Sequence, residues 1–210
     1  MTVPALWLDR LTHDLRGPLS PVQTAVSLLR MGGMDAARQH ELLELIERQA
    51  RLLGQMIDEL GDWSRAAQGT LVGERSACSP AALVDNAISG TRSRLQIDDA
   101  SCNAMVDGDE WRLCQLLRIL VDYLHARGTG ASLSMRAEGG YLLIGLQARM
   151  GDAVRATLLT EPAPEPHDGG LGLNLLIARA IAEAHGGSLT AEQDADGVLR
   201  LRCSLPLSRI

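Results

Sequence analysis

Phenylalanine is absent from the 210 residues, and aromatic side chains make up only 2% of them. Apolar residues still reach 46%, so a core is available, but it must be built from Leu, Ile, Val, Ala and Met. No apolar run approaches the roughly 20 residues that a membrane span requires. The first ten residues lack a basic segment followed by an apolar run, which argues against a secretory signal. Both absences predict a cytoplasmic chain that does not itself insert into a membrane; any membrane part of a longer receptor lies elsewhere. The four cysteines, Cys78, Cys102, Cys114 and Cys203, include no CxxC pair. That spacing excludes the usual zinc and redox motifs and predicts free thiols and no metal site. Positive charge is also in deficit. A net charge of -6 argues against a nucleic-acid partner, because phosphate backbones select basic surfaces.

Two patterns divide the chain. Over residues 1–68, apolar or small residues fall at Leu8, Leu11, Leu15, Pro18, Val22, Ala25 and Leu29, in alternating steps of three and four. That is a coiled-coil seam. Gly32-Gly33 interrupts it, and Asp35 is placed to cap a second helix. The second seam reads Leu42, Ile46, Gln49, Leu53, Met56, Leu60, Trp63. Two long helices with a short connection predict an antiparallel hairpin. Leu43, Leu45, Leu52 and Ile57 widen its apolar face beyond what one hairpin buries, which predicts a homodimer with a four-helix bundle.

Residues 69–78 read as a linker, and residues 79–210 as a second domain. Ser79-Pro80 marks a helix start, with proline at the first helical position. The expected order is a helix to about residue 90, strands at 94–98 and 103–107, and a helix at 109–126. Strands at 131–137 and 141–148, a proline-bearing loop at 159–170 and a helix at 171–185 follow. Gly186-Gly187 closes that helix, and a hairpin at 188–193 and 198–205 turns at Asp196-Gly197. The whole is α+β: a helical hairpin, then an α/β sandwich with a mixed sheet and helices on one face. Trp63 and Trp111 are expected to pack the bundle base and the second core.

On the first helix, His13 lies opposite the seam formed by Leu8, Leu11 and Leu15. A lone histidine there is ordinarily a plain surface group, but its neighbours change the reading. Asp14 follows directly, and Pro18 stands inside the helix, where proline removes a backbone hydrogen bond. A carboxylate beside an imidazole orients it and accepts its proton, which suits nucleophilic attack on phosphorus. Arg16, three residues from His13, lies on a neighbouring face and is suited to steer a phosphoryl group.

The stretch Leu11-Thr12-His13-Asp14-Leu15-Arg16-Gly17-Pro18-Leu19 resembles the H-box of sensor histidine kinases. The hairpin resembles their dimerisation and histidine-phosphotransfer domain, and residues 79–210 resemble their Bergerat-type ATP-binding domain. The resemblance covers almost the whole chain. It implies that His13 is the phospho-acceptor, that Asp14 orients or deprotonates it, and that a receiver domain of a response regulator or hybrid kinase is the partner. The family usually carries Thr or Asn four residues after the histidine. Gly17 stands there instead, which implies weak or absent phosphatase activity of the usual kind.

The nucleotide motifs depart further. Asp109, Arg112, Leu113, Gln115 and Leu117 match the family's N-box helix, but its two asparagines fall at Ile119 and Tyr123. The second asparagine normally helps hold magnesium, a role that wants an oxygen ligand and that a phenol fills poorly. Ala148 takes the place of the aspartate that bonds adenine. The loop where an ATP lid belongs carries Glu161, Glu165 and Asp168 beside Pro162, Pro164 and Pro166, without lysine or arginine. Gly169-Gly170-Leu171-Gly172-Leu173 resembles the family's last glycine motif, leaving Gly170 and Gly172 as residual phosphate-binding glycines, with Asp168 at its first glycine. The same glycines also serve simply to let the loop enter the next helix.

Three functions follow from this pattern. One is a phosphotransferase that relays phosphoryl groups between His13 and receiver aspartates with no cofactor. Another is an atypical ATP-dependent histidine kinase that retains Mg-ATP binding. The third is a pseudokinase that regulates a partner by binding alone. Whether the chain is an enzyme turns on which of these holds. His40, His125 and His167 form no ligand pattern and read as surface residues; His185 reads as a helix-end cap.

Overall fold

The computed structural model describes the backbone of residues 5–89, 94–97 and 104–208. It forms two compact units, Met1–Gly61 with Asp168–Leu171, and Asp62–His167 with Gly172–Ile210.

The first unit is built on α1 (Ala5–Met31) and on α2 (Ala36–Gln68) as far as Gly61. The expected seam is the one that the fold covers. Pro18, Ala25, Leu42 and Met56 are buried, and Leu11, Leu15, Val22, Leu29, Ile46, Gln49, Leu53 and Leu60 are half-buried. Asp35 caps α2 by accepting from the Arg38 N–H at 2.8 Å. Between the helices Gly32 and Gly33 take φ of 69° and 76°, which strains any residue with a Cβ. Pro18 and Pro21 both lie inside α1, which continues through them. Proline has no N–H, so the carbonyls of Asp14 and Gly17 lack their ordinary helical donors. Leu19, Val26, Leu28, Met31, Leu43 and Ile57 remain exposed in the single chain.

The second unit contains β1 (Ser76–Cys78), α3 (Pro80–Ile88), β2 (Arg94–Ile97), β3 (Val106–Gly108) and α4 (Glu110–Arg127). It continues with β4 (Gly128–Glu138), β5 (Tyr141–Met150), α5 (Asn174–Ala184), β6 (Ser188–Gln193) and β7 (Val198–Pro206). The main sheet runs β2-β4-β5-β7-β6; its β2-β4 pair is parallel and the other pairs are antiparallel, so it is mixed as expected. Side chains alternate along each strand. Leu133, Met135, Leu142, Ile144, Leu146, Leu199, Leu201 and Leu205 are buried. Ser134, Arg136, Gln147 and Arg202 face outward. On α4, Leu113, Leu116, Leu117, Leu120, Val121 and Leu124 recur at steps of three and four and are all buried.

Several local expectations need correction. Ser76–Cys78, read as linker, pairs antiparallel with β3. Ser79 precedes Pro80 at the helix start, but its side chain makes no capping bond. The helix expected from residue 171 begins at Asn174, because Gly172 has φ of 75° and cannot continue a right-handed helix inward. Trp111 does not enter the second core; it is 64% exposed, with the Arg112 guanidinium 4.5 Å from its ring centre. The neighbouring Arg112 points inward instead. Residues 98, 103 and Cys102 lie outside the described residues.

Candidate functional site

His13 sits in the third turn of α1 with 89% of its side chain exposed. Its Nδ1 lies 3.3 Å from Asp14 Oδ1. Asp14 Oδ2 accepts from Arg10 Nε at 3.2 Å, one helical turn back. The carboxylate is thus held on one side by a guanidinium and meets the imidazole on the other. With Asp14 accepting from Nδ1–H, the Nε2 lone pair is left pointing to solvent. Arg16 is exposed on the same helix, but Arg10 is the arginine that holds Asp14. Sequence reasoning passed over Arg10, although its spacing of four from Asp14 was the signal. Beyond His13, a Cβ added at Gly17 would meet nothing within 4 Å, so the position after one turn is open.

In the second unit, Tyr123 is half-buried, and burial raises its phenol pKa. The His167 ring meets it edge to face at 5.9 Å and 76° between planes. Two backbone contacts hold the same loop down: Arg127 donates to the Glu165 carbonyl, and the Ala163 N–H donates to the Gly172 carbonyl at 2.9 Å. Gly172 lies against the Ala163 backbone so closely that a Cβ has no room. Ala148 is 2% exposed, and a Cβ built on Gly128 would come within 2.9 Å of its own Cβ. At Ala148, the position that the resemblance sets against the adenine-binding aspartate, the interior is therefore filled by small apolar contacts.

Arg112 and Gln115, which match the N-box pattern, bind a carboxylate within the same unit. Arg112 donates to Asp62 Oδ1 at 2.7 Å and Gln115 to Asp62 Oδ2 at 2.6 Å; Arg65 adds a third bond at 2.6 Å. Burial pushes the Asp62 carboxyl up, but the Gln115, Arg65 and Arg112 bonds and the Arg112 charge outweigh it and hold the pKa below the usual value. His185 is 1% exposed, which goes beyond the capping role expected. Its Nδ1 donates to the Ile181 carbonyl at 2.8 Å, and its Nε2 accepts from the Asp109 N–H at 3.0 Å, where Asp109 caps α4. Burial lowers its pKa and keeps it neutral. Neither the Asp62 contacts to Arg112 and Gln115 nor this bond was readable from sequence, since they join residues fifty or more positions apart. His40 and His125 are exposed, as is His167. Among the described residues no three or more His, Cys, Asp or Glu side chains gather as a metal site, and no helix is long and apolar enough to cross a membrane.

Residues 6–69 match the His Kinase A (phospho-acceptor) domain. The Sensor protein ChvG of Agrobacterium fabrum is 28% identical over 228 residues, covering 93% of this chain and 38% of that protein. The Alginate biosynthesis sensor protein KinB of Pseudomonas aeruginosa is 26% identical, over 94% of this chain and 36% of its own length. The chain thus spans little more than a third of these relatives. Among solved structures, the Acinetobacter baumannii histidine kinase AdeS aligns with a TM-score of 0.71 at 16% identity, covering 94% of this chain and 98% of that one. Residues 6–69 thus match the phospho-acceptor domain of histidine kinases, the chain as a whole is similar to sensor proteins, and its fold is the one seen in a solved histidine kinase.

Proposed function

We propose that this chain relays phosphoryl groups to or from receiver-domain aspartates through His13, without ordinary ATP binding. The carrying observation is the pairing of an intact acceptor with a substituted nucleotide site. His13 keeps its carboxylate neighbour at 3.3 Å. In the second unit Tyr123 stands at the magnesium asparagine and is covered by His167, while Ala148 fills the adenine position. A neutral phenol is a poor and bulky substitute for the amide oxygen that ligates magnesium, and a methyl group offers adenine no hydrogen-bond acceptor. The residues present do not fit the cofactor.

In the transfer, the His13 Nε2 lone pair attacks the phosphorus of the receiver's aspartyl phosphate. The new N–P bond forms as the P–O bond to the aspartate breaks, and the aspartate leaves as carboxylate. The Nδ1 proton stays on the ring, where Asp14 stabilises the developing imidazolium. Arg16, exposed on the same helix, offers a cation to the incoming phosphoryl oxygens. The exposed Leu19, Val26, Leu28, Leu43 and Ile57 support a homodimer that buries them in a four-helix bundle. Residues 1–68 then form the dimerisation and phosphotransfer domain, residues 69–78 the connection and residues 79–210 the sandwich.

A second reading is an atypical kinase. It is favoured by the left-handed Gly172 in the last glycine motif and by Asp14. Full-length ShkA, similar in fold with a TM-score of 0.67 at 18% identity over 47% of its length, is solved in complex with AMPPNP. Calorimetric titration of the chain with Mg-AMPPNP separates the two. The relay reading expects no saturation at millimolar nucleotide. It also expects label to pass to His13 from purified receivers charged with acetyl phosphate, and not to the H13A variant. Saturable binding would give the kinase reading precedence, and absence of transfer to His13 would leave regulation by binding alone.

A further inference from the structure

The glycine turn at Gly169-Gly170-Leu171 belongs to the same compact unit as the helical hairpin, and it is in contact with side chains of α2. Glu59, on α2, is a charged residue only 4% exposed. Its Oε2 accepts from the Leu171 N–H at 3.1 Å. Asp168 Oδ1 accepts from the Gly170 N–H at 3.0 Å. The Gln55 amide joins the two carboxylates, donating to Asp168 Oδ2 at 2.8 Å and to Glu59 Oε1 at 3.4 Å. The fit is tight: a Cβ added at Gly170 would collide with the Glu59 carboxylate. Leu52, about two turns before Glu59 on α2, lies 3.5 Å from where a Gly169 Cβ would stand.

Consecutive backbone N–H groups in a glycine turn are the donors that bind phosphate. Here two of them already donate to anionic oxygens from the chain itself. We infer that Glu59 is an autoinhibitory occupant of the glycine turn: its carboxylate takes the place of a phosphate and holds the turn closed to anionic ligands. An incoming phosphate must displace Glu59 from its buried seat, and until it does, it faces two like charges. The backbone geometry of a phosphate turn thus persists while its anion comes from α2. This deepens the reading that the chain lacks ordinary ATP binding and rests on it.

The test uses inorganic pyrophosphate with the full chain, because pyrophosphate requires neither an adenine pocket nor the magnesium asparagine. Binding is followed by calorimetry and by the amide resonances of Gly170 and Leu171, with circular dichroism to check the fold. Glu59→Ala removes both the charge and the bulk, and it is expected to bind at least about tenfold more tightly than wild type. Glu59→Gln keeps the shape and a neutral acceptor; it is expected to fall between the two. In both variants the Leu171 amide should shift on addition of pyrophosphate. Equal affinity of wild type and both variants, whether weak or strong, would overturn the inference. The wild-type titration with Mg-AMPPNP is a separate result: binding there refutes the relay reading, whereas an unchanged pyrophosphate affinity in the Glu59 variants refutes only the plug.

Discussion

Replacing Asp62 by alanine tests how the N-box residues of this chain are used. Asp62 is 4% exposed and Arg112 7% exposed, so their 2.7 Å contact is shielded from water. Gln115 and Arg65 complete the set of donors around the carboxylate. Removing Asp62 leaves the Arg112 guanidinium buried without its counter-charge, and loss of one partner from such a pair costs about 3–5 kcal/mol. A domain of this kind has about 5–15 kcal/mol in total, so the loss consumes a large share. Arg65→Ala is the internal control. Arg65 is 47% exposed, and water and salt screen its bond, so its loss should cost no more than about 1 kcal/mol. Urea denaturation followed by far-UV circular dichroism, read as midpoint at constant slope, measures both. Asp62→Leu combined with Arg112→Met should recover most of the loss, because an apolar pair needs no counter-charge. If Asp62→Ala costs less than about 1 kcal/mol, or if the double replacement is as damaging as the single one, then the buried pair is not what holds these residues together.

Three further outcomes are expected. His185 is buried neutral with its pKa lowered from 6.5, while Arg75, Asp107 and Asp109 lie near it. The unfolded chain therefore takes up a proton that the folded chain refuses; stability is full above about pH 6.5 and falls as pH drops below it. Thermal midpoints from about pH 7.5 to about pH 5.5 should show this decline, and a flat profile would contradict it. Gly54 lies inside α2 with open space around its missing Cβ, so Gly54→Ala should stabilise the chain by about 0.5–1 kcal/mol in the same urea assay. Gly17 is equally open, so Gly17→Thr should be accommodated without loss of stability. It should also shorten the lifetime of phospho-His13 or the phosphorylated receiver in a labelled-phosphate assay; unchanged lifetimes would separate Gly17 from any effect on dephosphorylation.

Much of the fold is local in origin, and that part was legible in the residues. Helix seams depend on spacing within a few turns, so the sites of burial on α1 and α2 follow the steps from Leu11 to Leu60. Strand alternation and the Asp196-Gly197 turn are equally short-range, and β6 begins and ends where expected. His13, Asp14, Gly17 and Pro18 are near neighbours, so their geometry is set by one helix. Tertiary structure decided what depends on chain segments far apart. Ser76–Cys78 became a strand because β3 offered it hydrogen bonds, and Trp111 stayed outside because Arg112 turned inward to Asp62. The N-box arginine and glutamine read as remnants of a nucleotide motif; only packing revealed that they serve a buried carboxylate fifty residues away. The glycine motif likewise carries no mark in sequence of the partner of its N–H groups. Propensity and periodicity act over a few residues, whereas the desolvation that forces a buried charge to find its partner acts only once the chain is folded.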